Sequence, residues 1–247
     1  MKILILDVET SPNTAFVWGM WNETIPLSRL IESSGILCWS AKWLGEESGY
    51  FSSIHKHQKR KMLRGIRDLM CDADVVVTYN GNKFDIPVLN KEFWLAGITP
   101  PSPYKSLDLY QTIRRTFRFT SNKLDHVCDQ LGLGKKKETE FQLWVDCMNR
   151  NSAAWERMEE YNINDTVLLE KVYLEALPWI NNHPNQSVYS ESPCCTNCGG
   201  TNYNARGYAF TTTYKYKRFQ CKDCGTWFRD RNNIAYTKNT TRQIASR

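Results

Sequence analysis

The sequence carries Cys-x-x-Cys-Gly twice, as Cys195–Cys198 in "CTNCGG" and Cys221–Cys224 in "CKDCGT", with 22 residues between the pairs. Four thiols arranged as two knuckles can present four thiolates tetrahedrally to one Zn²⁺. The stretch between them, "YAFTTTYKYKRFQC", alternates and is rich in Thr, Tyr and Phe, which suits a hairpin. So short a segment cannot bury a sizeable core, so a metal must hold it folded. A redox pair would want an α/β context that these flanks do not provide. Cys194 offers an alternative ligand, but Cys195 fits the spacing to the following glycine better. Nine cysteines, an odd number, argue against a complete disulfide framework. Cys38, Cys71, Cys128 and Cys147 lie among apolar neighbours and read as small buried hydrophobes.

Charge divides the chain at the same place. From Cys194 onward there are ten Lys/Arg and two Asp/Glu, a net +8, which leaves 22 and 24, a net −2, for residues 1–193. Such asymmetry points to a polyanionic partner. Arg206, Lys215, Lys217, Arg218, Lys222, Arg229 and Arg231 interleave with Tyr208, Phe210, Tyr214, Tyr216 and Trp227. Cations among aromatics suit phosphate contact and base stacking, with protein docking as the alternative. No apolar run approaches the ~20 residues that span a bilayer, and the N-terminal run is too short for a signal-peptide core. The expectation is a cytoplasmic protein, in the host cytoplasm if a virus encodes it, with no membrane partner.

Ahead of the cysteines, the pattern predicts strands over 3–6, 36–44, 50–53 and 74–78. It predicts helices in "HKHQKRKMLRGIRDLM", "KFDIPVLNKEFWLAG", "SLDLYQTIRRTF", "LDHVCDQLGLG" and "AAWERMEEYNINDTVLLEKVYLEAL". Strands alternating with helices imply an α/β layer fold. Trp18, Trp21, Trp39 and Trp43 could stack a base, but core packing is the use expected for most of them. Residues 179–193, aperiodic and rich in Pro and Asn, read as a linker.

Within the α/β part, three short patterns concentrate acids. "ILILDVE" ends an apolar strand with Asp7 and Glu9, which alternation sends to one face. Like charges that close repel unless a cation lies between them. "YNGNKFDIPVL" places Asp85 at a strand-to-helix junction, where an N-cap is the ordinary use. "EEYNIND" places Tyr161 and Asp165 four apart on one helix face. In this order and spacing the chain resembles the DEDDy 3′–5′ exonucleases, the DnaQ-like branch of the RNase H-like superfamily. The motifs are D-x-E, N-x(2–3)-F-D and Y-x(3)-D, here Asp7/Glu9, Asn80 with Phe84–Asp85, and Tyr161/Asp165. "NGNKFDIPVL" looks closest to stand-alone relatives of the proofreading domain of family B DNA polymerases.

The resemblance covers about residues 1–175. It implies an RNase H-like mixed sheet flanked by helices, and it implies two Mg²⁺ or Mn²⁺ ions. Asp7 would bridge both ions, Glu9 and Asp165 would complete the site of the ion that activates water, and Asp85 would hold the other. Tyr161 would orient the water, since a phenol with a pKa of about 10 is a poor base at neutral pH. Asn80 and Lys83, and in the basic module Lys215, Lys217 and Arg218, are candidate substrate contacts. The organisation expected is an exonuclease domain over 1–178, a linker over 179–193, a zinc ribbon with one structural Zn²⁺ over 194–231 and a polar tail over 232–247. The function expected is 3′–5′ hydrolysis of single-stranded DNA, aided by the ribbon, which could also dock a replication or repair protein. The alternatives are an RNA exonuclease with the same site, or a nucleic-acid-binding adaptor that has lost turnover.

Overall fold

The computed structural model describes residues 1–137 and 139–234, so the expected tail lies outside the described residues from 235 on. The described residues form two compact units, Met1–Tyr173 and Leu174 onward. In chain order the first unit contains β1 (Ile3–Thr10), β2 (Thr14–Ala15), β3 (Leu30–Glu32), β4 (Ile36–Trp43), β5 (Tyr50–Ser53), α1 (Lys59–Asp72) and β6 (Val75–Thr78). There follow α2 (Asp85–Leu95), β7 (Lys105–Asp108), α3 (Leu109–Thr116), α4 (Leu124–Leu131), α5 (Gln142–Met148) and α6 (Ser152–Ala176), whose last turn opens the second unit.

The sheet order is β5-β4-β1-β6-β7. The β1–β4 and β4–β5 pairs are antiparallel, while β1–β6 and β6–β7 are parallel. This is the mixed α/β sheet flanked by helices that the sequence led us to expect. β1 is central and buried on both faces, so its apolar residues form an unbroken run rather than alternating with polar ones. Leu4, Leu6 and Val8 pack with Met62, Leu63, Ile66 and Met70 of α1 and Leu89 and Phe93 of α2. The intervening residues, Asp7 and Glu9 among them, therefore face the other side. On that side Leu37 and Cys38 of β4 pack with Leu143 and Cys147 of α5 and with Ala154, Trp155, Met158 and Tyr161 of α6. A register shift between Glu9 and Thr10, opposite Cys38 and Ile36, frees Leu37 to turn to that side while Ile36 stays on the first.

Several elements differ from expectation for identifiable reasons. β1 continues to Thr10 because β4 keeps pairing with it, Asp7 opposite Ser40 and Glu9 opposite Cys38, so both acids sit within the strand. Lys105–Asp108 forms edge strand β7 on β6, and the helix begins only at Leu109, where Asp108 caps by accepting from the Tyr110 amide. Trp39 is buried and Trp43 half-buried, whereas Trp18 and Trp21 are 90% and 88% exposed in the β2–β3 connection. Cys38, Cys128 and Cys147 are buried; Cys71 is half-buried.

The second unit is an antiparallel sheet of β8 (Tyr203–Phe210), β9 (Lys215–Cys221) and β10 (Trp227–Asn233), with β9 in the centre. Tyr203, Phe219 and Phe228 pack together as its small aromatic core, ring centroids 5.3–5.5 Å apart. The segment read as a linker is joined to this unit. Asn197 Nδ2 donates to the carbonyls of Leu177 (2.8 Å) and Ile180 (3.3 Å), and the Gln186 amide donates to Thr196 O (2.7 Å). Buried Leu177 and Ile180 explain why an aperiodic segment is nonetheless held.

Candidate metal centres

α6 is fixed to β4 by a polar seam with matching periods. Ser40 and Lys42 share a face of β4, and Asn162, Thr166 and Glu170 share a stripe of α6. The Ser40 hydroxyl donates to Asn162 O (2.7 Å) and meets the Thr166 hydroxyl, and Lys42 is ion-paired with Glu170. Glu170 also accepts from the Gly45 amide (2.8 Å). This seam sets the rotation of α6 and so aims Tyr161 and Asp165 at β1.

The result is a cluster in which ligand oxygens of Asp7, Glu9 and Asp165 all lie within 4.8 Å of one another. Neighbours fix the carboxylates. Asn162 Nδ2 donates to Asp7 Oδ2 at 2.6 Å, and Trp144 Nε1 of α5 donates to Glu9 Oε2 at 3.1 Å. Asp85, the first residue of α2, is buried and accepts from the Val8 amide at 3.0 Å, beside the cluster rather than within it. The N-cap reading of Asp85 is thereby replaced by a link from α2 to β1. Tyr161 is buried against the Trp144 ring, edge to face, with centroids 5.7 Å apart.

These acids are electrostatically frustrated. Burial, then Asp85, Glu9 and Asp165, push Asp7 well above the ordinary carboxylate range. Burial and the charge of Asp165 push Glu9 up to about 7. Burial pushes Asp85 up to about 7 against the opposing hydrogen bonds from its own amide and from that of Val8. Burial also raises Asp165, although Lys136 opposes it. Among the described residues the buried Asp165 Oδ1 has no hydrogen-bond partner. Crowded carboxylates with an orphaned oxygen are a donor set suited to hard divalent cations.

Lys136 was not foreseen. Its ammonium is ion-paired with Asp165, donates to the Tyr161 hydroxyl at 3.3 Å and lies 5.3 Å from that ring's centroid. Burial disfavours its charge, yet Asp165 and Tyr161 hold its pKa above the ordinary lysine value. Tyr161 is itself raised by burial and by Asp165, so it keeps its proton at neutral pH. Next to the cluster, Asp7, Tyr79, Asn80, Tyr110, Lys123 and Lys136 line a cavity of about 330 Å³. Lys83 is exposed on the turn leading to Asp85.

In the second unit the thiols of Cys195, Cys198, Cys221 and Cys224 also lie within 4.8 Å of one another, and Cys194 is not among them. Each knuckle closes in the same way. The amides of Gly199 and Gly225 donate back to Cys195 O (3.0 Å) and Cys221 O (3.2 Å), at φ +74° and +81°. Only glycine takes that conformation without strain, which is why it follows each pair. Sulfur separations are 3.7 Å for Cys195–Cys224 and 3.6 Å for Cys198–Cys221. A tetrahedron with Zn–S bonds of about 2.3 Å has edges of about 3.8 Å, so the four sulfurs fit one such ion.

Residues 38–177, more than half of the chain, match the family RNase_H_2, described as RNase_H superfamily, and the chain belongs to that superfamily. The matched segment holds Asp85, Tyr161 and Asp165. A DNA polymerase of Pyrococcus glycovorans is 26% identical over 147 residues, covering 51% of this chain and 19% of the polymerase. The structure of the family B DNA polymerase from Pyrobaculum calidifontis superposes with a TM-score of 0.52 at 19% identity, covering 71% of this chain and 25% of that one. The chain thus spans about a fifth to a quarter of these relatives' lengths. Among the described residues no helix is long and apolar enough to cross a membrane.

Proposed function

We propose that the chain is a metal-dependent 3′–5′ exonuclease of the DEDDy type acting on single-stranded DNA, with a zinc ribbon that helps hold the strand. The observation that carries this is the convergence of Asp7, Glu9 and Asp165, with Asp85 alongside, in an RNase H superfamily chain similar to DNA polymerases. In this reading residues 1–178 are the nuclease, 179–193 the connection and 194–231 the ribbon, whose Cys195, Cys198, Cys221 and Cys224 hold a structural Zn²⁺.

Asp7, Glu9 and Asp165, with Asp85, would hold two Mg²⁺ or Mn²⁺, which when bound stabilise the attacking and leaving oxygens of a phosphodiester. Asn162 and Trp144 keep Asp7 and Glu9 in their rotamers, so little ordering remains when substrate arrives. Tyr161 keeps its proton and orients the attacking water through its hydroxyl rather than deprotonating it. Lys136 holds Asp165 and Tyr161 in place and presents positive charge to the cavity, where an anionic phosphate gains from it. Asn80 and Lys123 offer polar contacts to the terminal nucleotide.

The test is digestion of end-labelled DNA and RNA oligonucleotides, single- and double-stranded, with Mg²⁺ or Mn²⁺. The expected result is a ladder shortening from the 3′ end, fastest on single-stranded DNA. Internal cuts, shortening from the 5′ end or no cleavage with either ion would overturn the proposal. A preference for RNA would keep the chemistry and change the substrate.

A further inference from the structure

The two faces of the β8–β9–β10 sheet are not equivalent. One is occupied by the packed trio Tyr203, Phe219 and Phe228. Register and alternation place Trp227, Arg229, Arg218 and Tyr216 together on the other. There the Arg218 guanidinium lies 4.9 Å from the Trp227 ring centroid and the Arg229 guanidinium 3.7 Å from that of Tyr216. Arg218 is pinned by its Nε, which donates to Arg206 O at 3.0 Å. Arg218 and Arg229 are direct cross-strand partners, an arrangement that like charges disfavour. Among the described residues neither is in an ion pair with a carboxylate. Trp227 is 50% exposed.

Stacking on an aromatic ring orients a guanidinium and leaves its in-plane N–H donors free for phosphate oxygens. Two such donors side by side without counter-charge call for a polyanion. The half-exposed indole next to Arg218 calls for a planar group, which a nucleobase supplies and a lipid headgroup does not. We infer that this face of the sheet is a stacking platform for single-stranded nucleic acid, with a base on Trp227 and neighbouring phosphates on Arg218 and Arg229. The inference rests on the proposed function only in taking nucleic acid as substrate, and it names the face and the mode of contact.

The experiment measures affinity of the full-length, zinc-loaded protein for an oligo-dT strand across a range of salt, with Ca²⁺ in place of the catalytic ions. Trp227→Ala should weaken binding about 5- to 150-fold, the range for loss of one base–aromatic stack, at every salt concentration and with the salt slope unchanged. Trp227→Phe should restore most of the affinity, and zinc content should match wild type in both variants, which separates lost stacking from lost folding. Arg218→Ala with Arg229→Ala should instead flatten the slope of log affinity by about 1.4, at about 0.7 per phosphate contact on a single strand. Wild-type affinity in Trp227→Ala with a loss in the arginine pair would make the face a plain polyanion patch and overturn the inference. A larger loss from Tyr208→Ala, across the sheet beside Lys215, would move the contact to the other face and also overturn it. Either failure leaves the proposed function standing, because the digestion assay reads the carboxylate centre without these variants.

Discussion

The carboxylate cluster and the cysteine cluster solve one problem in opposite ways. Each gathers ligands from distant stretches of chain within 4.8 Å. The carboxylates sit on a large unit with apolar layers on both faces of a five-stranded sheet, which holds them together against their own repulsion. The thiols sit on three strands whose core is one aromatic trio, so an ion bound there would supply most of what keeps the knuckles closed. A metal is expected to be needed for chemistry at the first and for folding at the second.

Metal removal breaks this comparison most sharply. Stripping Zn²⁺ should unfold the second unit, since structural zinc contributes about 10–16 kcal/mol in zinc-finger peptides at neutral pH. Hydrogen exchange should then lose protection in β8–β10 while β1, β4 and β6 stay protected. Uniform protection after chelation would contradict the assignment. Next in size is Glu170→Ala, which leaves half-buried Lys42 without its partner and should cost about 2–3 kcal/mol in urea unfolding, between the ranges for exposed and buried pairs. A loss below about 1 kcal/mol would show that the seam is more exposed to water than its burial implies.

Tyr161→Phe should lower the rate at saturating substrate by at least about 10²-fold with little change in affinity. A loss of affinity without loss of rate would make Tyr161 a substrate contact. The smallest effect concerns pH. Glu9 and Asp85, each held at about 7, bind more protons in the folded state than in the unfolded, where carboxyls titrate near 4. The metal-free first unit should therefore lose stability as pH rises from about 4 through about 7. Its melting temperature should fall by a few degrees between pH 5.5 and pH 8, and Mn²⁺ should raise it more at pH 8. A metal-free melting temperature that climbs over this interval would contradict the frustration described above.

What could be read from the sequence follows from how local each signal is. Asp7 and Glu9 were legible because strand alternation needs no tertiary information, and the Cys-x-x-Cys-Gly knuckles because each glycine's positive φ is fixed within one turn. β7 was missed because "KSLD" is too short to show a period and runs directly into a helical pattern. α5 was missed for the same reason, and with it Trp144, the partner of Glu9. Lys136 is the middle of three consecutive lysines, and nothing local separates it from Lys135 or Lys137. Only the rotation of α6, set by the buried seam, brings Asp165 to it. Trp18 and Trp21 failed differently, since hydrophobicity states a preference for burial and the β2–β3 connection gives them nothing to be buried against.

The central claim is that the clustered carboxylates hold the ions that make this chain a nuclease. Hydrolysis of a labelled single-stranded DNA in saturating Mn²⁺, wild type beside Asp7→Asn and Asp165→Asn, tests it most directly when thermal melts of the same samples are recorded. The account predicts loss of nearly all hydrolysis in both variants, with a metal-free melting temperature equal to or above wild type for Asp7→Asn, where repulsion is relieved, and below it for Asp165→Asn, which leaves Lys136 without its ion pair. Wild-type turnover in either variant would contradict it.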